Sequence, residues 1–144
     1  MNEFEFEKNL EQDLVHYFLG EGIKSTRSRS MTELGVNNIQ VAFDYQGALE
    51  DTRARINGVH EYNSHEGIIQ IEINTFRDKK EDHHKRLGQV RALMLNHKHG
   101  FEKYAILDIV PQGCTHTEFE ETNHDQTLLN FAIKFQIDLS SLDG

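Results

Sequence analysis

Large apolar residues occupy every second position from Leu129 to Leu139, and Asn130, Ala132, Lys134, Gln136 and Asp138 fill the places between. Successive side chains of a strand point to opposite faces, so this run predicts a strand with one dry and one wet face. A helix would scatter the same residues around its circumference. The same period of two recurs at Ile39, Val41, Phe43 and Tyr45, and again at Ile69, Ile71 and Ile73. A weaker strand is expected from Ala54 to Tyr62. It would pair with the Ile69–Ile73 strand as an antiparallel hairpin across the polar turn Asn63–Gly67. A further strand, mostly buried, is expected from Tyr104 to Val110, stopped by Pro111.

Two stretches follow the helical period instead. Phe6, Leu10, Leu14 and Phe18 make one stripe, widened by Val15 and Tyr17, with acidic residues at its start and Gly20 as the expected C′ residue. Leu87, Val90, Leu93, Met94 and His97 make a second stripe, on a helix from about Asp82 to Lys98 that Gly100 ends. Residues 22–35, with the Ser/Arg cluster around Arg27 and Arg29, and the polar stretch 112–126 read as loops. The predicted order is α-β-β-β-α-β-β. Two helices on one face of a mainly antiparallel sheet is the economical way to bury such elements, an α+β fold. The expected core joins Leu129, Phe131, Ile133, Phe135 and Ile137 to Ile69, Ile71, Ile73, Val41 and Phe43.

The 144 residues suit a single domain, 1–144, and show no internal repeat. The 24 acidic residues outnumber the 15 basic ones, giving a formal charge of −9. That balance disfavours grip on a nucleic-acid backbone, which needs clustered Lys and Arg. The single cysteine, Cys114, rules out an internal disulfide and suits a reducing cytoplasm. No apolar run reaches the ~20 residues that span a bilayer, and the acidic first residues do not resemble a signal peptide. A soluble protein of the cytosol is expected.

The chemistry-bearing residues form no recognised catalytic motif. His60 and His65 are one residue too far apart for the zinc-protease helix pattern. His116-x-Glu118 lacks the cysteine pair of a zinc deaminase. His83-His84 and His97/His99 lie at opposite ends of one predicted helix, about 20 Å apart. Cys114, His116 and His124 on one loop are the candidate metal set, and Cys114 with His116 the candidate nucleophile pair. Solvated loop residues are the better expectation for both, so no catalytic, cofactor or metal residue is assigned. Arg27 and Arg29 are candidate contacts to an acidic partner, and Glu118, Glu120, Glu121 and Asp125 could bind a hard cation, but solvated surface is the better expectation for both.

The whole pattern resembles the tail-terminator and tail-completion proteins of long-tailed bacteriophages and prophages. The likeness spans about residues 3 to 140. It rests on the helix Phe6-x-x-x-Leu10-x-x-x-Leu14, the Arg55–Phe76 region with its Gly67-Ile68-Ile69-Gln70-Ile71 core, and the central helix. It also rests on Asn123–Thr127 feeding the strand Phe131–Phe135. The resemblance implies a homo-oligomeric ring, commonly a hexamer, at the end of the tail tube. Its partners would be the tail-tube protein and the head-completion or connector protein, with DNA passing through unbound. It implies no catalysis, no cofactor and no membrane, with assembly in the host cytoplasm and residence in the virion tail. Glu61, Glu66, Glu118, Glu120, Glu121 and Asp125 are the candidate lumen-facing or partner-facing residues. Another virion component (tail-tube, baseplate or head-completion) and a small metal- or thiol-dependent hydrolase are the alternatives.

Overall fold

The three alternating runs become three adjacent strands. The computed structural model describes residues 3–27, 39–49, 62–96 and 106–138. In order they form α1 (Glu3–Gly20), β1 (Ser25–Arg27), β2 (Ile39–Leu49), β3 (Tyr62–Phe76), α2 (Lys80–Asn96), β4 (Ile106–Phe119) and β5 (His124–Asp138). The five strands make one sheet in the order β1-β2-β3-β5-β4, antiparallel except for the parallel β1–β2 pair. The predicted α-β-β-β-α-β-β order and α+β class are what the structure has.

Cross-strand register explains why the alternation buries cleanly. Phe43 stands opposite Ile69, which stands opposite Phe131; the next row is Val41, Ile71 and Leu129. These side chains all leave the same face of the sheet. Phe6, Leu10, Leu14 and Phe18 of α1 and Val90 and Met94 of α2 join them in one buried cluster. Both helices therefore cover one face, and Tyr17 Oη donates to the Leu93 carbonyl between them at 3.4 Å. Leu129 is half-buried at the cluster's margin, while the Ile137 side chain lies outside the described residues. Gly67 sits where a Cβ would come 2.4 Å from the Phe43 ring, so only glycine lets that ring lie flat on β3.

α1 is fixed to the sheet's edge by two carboxylates. β1 covers β2 only as far as Val41, which leaves the next outward-facing N–H groups of β2 in need of acceptors. Glu11 Oε2 accepts from the Phe43 N–H at 2.9 Å, and Glu7 Oε1 from the Tyr45 N–H at 3.1 Å. Four helical residues rise ~6 Å and two strand residues span ~6.6–6.8 Å, so one turn of helix matches one strand repeat. Glu11 is fully buried, and its Oε1 also takes Arg27 Nη2 at 2.7 Å and Nε at 3.1 Å. Ser25 Oγ donates to the Val15 carbonyl at 2.9 Å, holding β1 against the same helix.

The structure differs from the sequence expectations in five places. Residues 25–27 form a strand, and Arg27 is engaged by Glu11 instead of facing a partner. α1 ends through Gly22, at φ 81°, and not through Gly20; the Ile23 N–H reaches the Phe18 carbonyl and the Gly22 N–H that of Leu19. Residues 63–67 belong to β3, which runs from Tyr62; the expected strand over 54–62 falls almost wholly outside the described residues. β4 continues through Pro111, because a proline's missing N–H is tolerated on an edge strand. Of the expected buried stretch up to Val110, the described side chains divide: Ile109 is half-buried against the core and Val110 is 45% exposed. Finally, residues 112–126 are not a loop but the second half of β4, the turn 120–123 and the start of β5.

Two substitutions test this packing. Phe131 is 1% exposed and Lys134 points away from the helices. Phe131→Asp therefore removes a large share of a domain's ~5–15 kcal/mol of stability, while Lys134→Asp stays within about 0.5 kcal/mol. Equal melting temperatures for the two variants would reverse the assignment of faces. Glu11→Ala leaves the Phe43 N–H and the Arg27 guanidinium without their acceptor and costs about 3–5 kcal/mol in denaturant unfolding. A loss no greater than that of Gln12→Ala, at an exposed neighbour, would remove Glu11 from this role.

Candidate functional site

The apolar rows on the helix-covered face stop abruptly at one end of the sheet. Ile73 stands opposite Thr127, which stands opposite His116; the last row is Thr75, Asp125 and Glu118. Polar residues thus take positions that further along the strands hold the core. The first turns of α2 lay His83 over them, and its side chain is only 2% exposed. A buried imidazole needs partners for both nitrogens. Thr75 Oγ1 lies 2.8 Å from His83 Nδ1, and Thr127 Oγ1 lies 2.7 Å from Nε2. The Thr127 hydroxyl is shared with His116 Nδ1 at 3.0 Å. The result is a continuous polar chain, Thr75–His83–Thr127–His116, from the interior to the exposed strand β4.

A charged group borders this chain. Arg77, directly after β3, places Nη2 2.8 Å from Glu118 Oε2, and its Nε is 3.8 Å from Asp125 Oδ1. The longer distance is an ion contact but too long for a hydrogen bond. Asp125 is buried, and its Oδ1 has no hydrogen-bond partner. His116, Glu118 and Asp125 each bring one potential ligand atom, all within 4.8 Å of one another. Burial pushes the His83 imidazole below its ordinary 6.5; His116 and His84 push the same way and Asp125 opposes them. His65 behaves similarly. It is 1% exposed, bonded through Nδ1 to the Tyr45 hydroxyl at 2.7 Å, stacked on Phe135, and lowered by burial.

The sequence candidates fall differently from expectation. Cys114 is exposed on β4, outside the converging group, and His116 engages Thr127. His124 stacks on Phe119 and bonds to Thr122. The set that does converge replaces Cys114 and His124 with Glu118 and Asp125. Glu118 is half-exposed and held by Arg77, Glu120 and Glu121 are exposed in the turn, and Glu66 is half-buried in β3. Asp125, also a candidate, is buried at the start of β5. Glu61, Arg29, His60, His97 and His99 lie outside the described residues. No protein-family model and no characterised protein matches this chain.

The lowered histidines set a pH dependence. A group whose folded value lies below its unfolded value binds fewer protons when folded, so stability rises with pH through that window. For His83 and His65 the contribution is complete above about pH 6.5 and is lost as pH falls below it. Melting temperature is expected to decline from about pH 6.5 towards 5, and less steeply in His83→Gln than in the parent. An equal slope in the variant would show that His83 is not a source of the decline.

Proposed function

We propose that the chain is a tail-terminator or tail-completion protein of a long-tailed bacteriophage or prophage. Its copies close a ring, commonly of six in the proteins it resembles, at the end of the tail tube. The ring meets the tail-tube protein on one side and the head-completion or connector protein on the other. It carries out no turnover, assembles in the host cytoplasm and remains in the virion tail.

What carries the reading is the free edge of β4. Among the described residues the sheet's other side is closed by β1 and by the Glu7 and Glu11 carboxylates, whereas the 14-residue β4 pairs with β5 on one side and has no strand on its outer edge. Such an edge can add a strand from a neighbour. A closed ring needs heterologous contacts, which join two different patches of each copy. The sheet face away from the helices supplies the second patch: Ile68, Ala132 and Val110 form an apolar row across it. Glu120 and Glu121 at the exposed turn, with Glu118 and Glu66, are the carboxylates this reading turns to the lumen or to a partner. There they repel phosphate over a Debye length of about 8–10 Å and let DNA slide through.

Val110→Glu tests the surface without touching the core. The variant is expected to keep the parental melting temperature but to fail to join purified tail tubes or self-assemble on them. Binding equal to the parent would remove this face from the interface. Function itself is tested by deleting the gene and viewing the particles by electron microscopy. Overlong tails, or tails without heads, are the expected result; normal-length tails joined to heads would reject the proposal.

A further inference from the structure

We infer that His116, Glu118 and Asp125 form a zinc-binding site at the β4–β5 turn. This goes beyond the assembly reading and does not depend on it. Two independent observations carry it. One imidazole and two carboxylates bring ligand atoms within 4.8 Å of one another. The Asp125 side chain, 3% exposed and in that group, also has an oxygen without a hydrogen-bond partner. A buried carboxylate oxygen in this state is costly unless a cation or donor meets it.

The geometry suits a small divalent ion. Zinc–ligand bonds of ~2.0–2.2 Å place tetrahedral ligands about 3.4 Å apart, so the three groups need to close by an ångström or so. Glu118, at 51% exposure, has room to make that movement. Asp125 and Glu118 are directly paired across the antiparallel strands, and His116 is two residues before Glu118 on the same face. The ligands therefore stand on a strand pair and not on a free loop. Thr127 holds His116 through Nδ1, and His83 and Thr75 hold Thr127 in turn. That leaves Nε2 as the metal-binding nitrogen, oriented by a hydrogen-bonded partner in the usual manner of ligating histidines. The mixed nitrogen and oxygen donor set favours zinc over calcium or magnesium, which prefer oxygen alone. Three protein ligands leave a fourth position for water or for a donor from a neighbouring molecule.

Arg77 gives the inference a distinctive signature. Its guanidinium now supplies the positive charge between Glu118 and Asp125. A metal and this guanidinium compete for the same carboxylates, so entry of zinc releases Arg77 to solvent.

The test is isothermal titration of the chelator-stripped full chain with zinc chloride, and melting with and without millimolar zinc. One zinc per chain and a raised melting temperature are expected. Glu118→Gln and His116→Ala should each weaken binding by about tenfold or more, while Arg77→Gln tightens it. Cys114→Ser and His124→Ala should bind as the parent does. Each variant is first shown to be folded by its melting transition, and Glu118→Gln, at an exposed position, provides the safeguard if His116→Ala is not. No saturable binding by the parent would overturn the site. So would parental affinity in Glu118→Gln, or loss of binding in Cys114→Ser or His124→Ala. Weakened binding in Arg77→Gln would overturn the competition between metal and guanidinium.

Discussion

The buried carboxylate of Glu11 is the constraint on which the rest of the fold depends. Taking a charge out of water is expensive, and here three donors offset it: the Phe43 N–H and two nitrogens of Arg27. Those donors come from β1 and β2 and the acceptor from α1, so three consecutive elements of the fold's first half meet at one side chain. With Glu7 one turn earlier on Tyr45, the helix is held in one register along β2. That register carries Phe6 to the Phe43 and Phe135 rings, at 5.9 and 4.9 Å between centroids. An apolar stripe alone would let the helix slide or roll. The paired carboxylates give it a single position.

The parts of this arrangement legible in the sequence are those whose environment is uniform along an element. β2, the middle of β3 and β5 are dry on one face and wet on the other, and their alternation shows it at once. α1 and α2 carry one stripe each. Glu7 and Glu11 were invisible as anchors, because a polar residue on an amphipathic helix ordinarily signifies solvent. The second half of β4 was illegible for a different reason. From Val110 to Phe119 it is exposed on both faces, so no burial pattern marks it, and Pro111 argued against a strand. β1, three residues long, is too short to show a period.

The polar cluster at the end of the sheet was hidden by the same misreading. Once residues 112–126 are taken as a loop, His116, Glu118 and Asp125 have no defined relation. A signal was present in the threonines at 115 and 117 and in Asn123, which takes φ 52° and suits a turn between two strands. Placing that turn fixes Glu118 opposite Asp125 and His116 opposite Thr127, and the cluster follows. His83 could not be reached this way, since it comes from a helix packed on the sheet. Its neighbours are set by tertiary contact alone.

The turn that closes β4 onto β5 does more than reverse the chain. The Asn123 carbonyl accepts the N–H of Arg77, the first residue of the short 3₁₀ turn leading into α2. Helix starts have donors with no partner of their own, and this one borrows its acceptor from the tip of the hairpin. The hairpin and the helix entrance are thus joined by one main-chain hydrogen bond, with the Arg77 side chain reaching back to Glu118 alongside it. Mechanically this is a short lever. A pull along β4 would be delivered at its far end to the first turn of α2. Load on the outer rim of the sheet thereby reaches the helix directly, without passing through the hydrophobic interior.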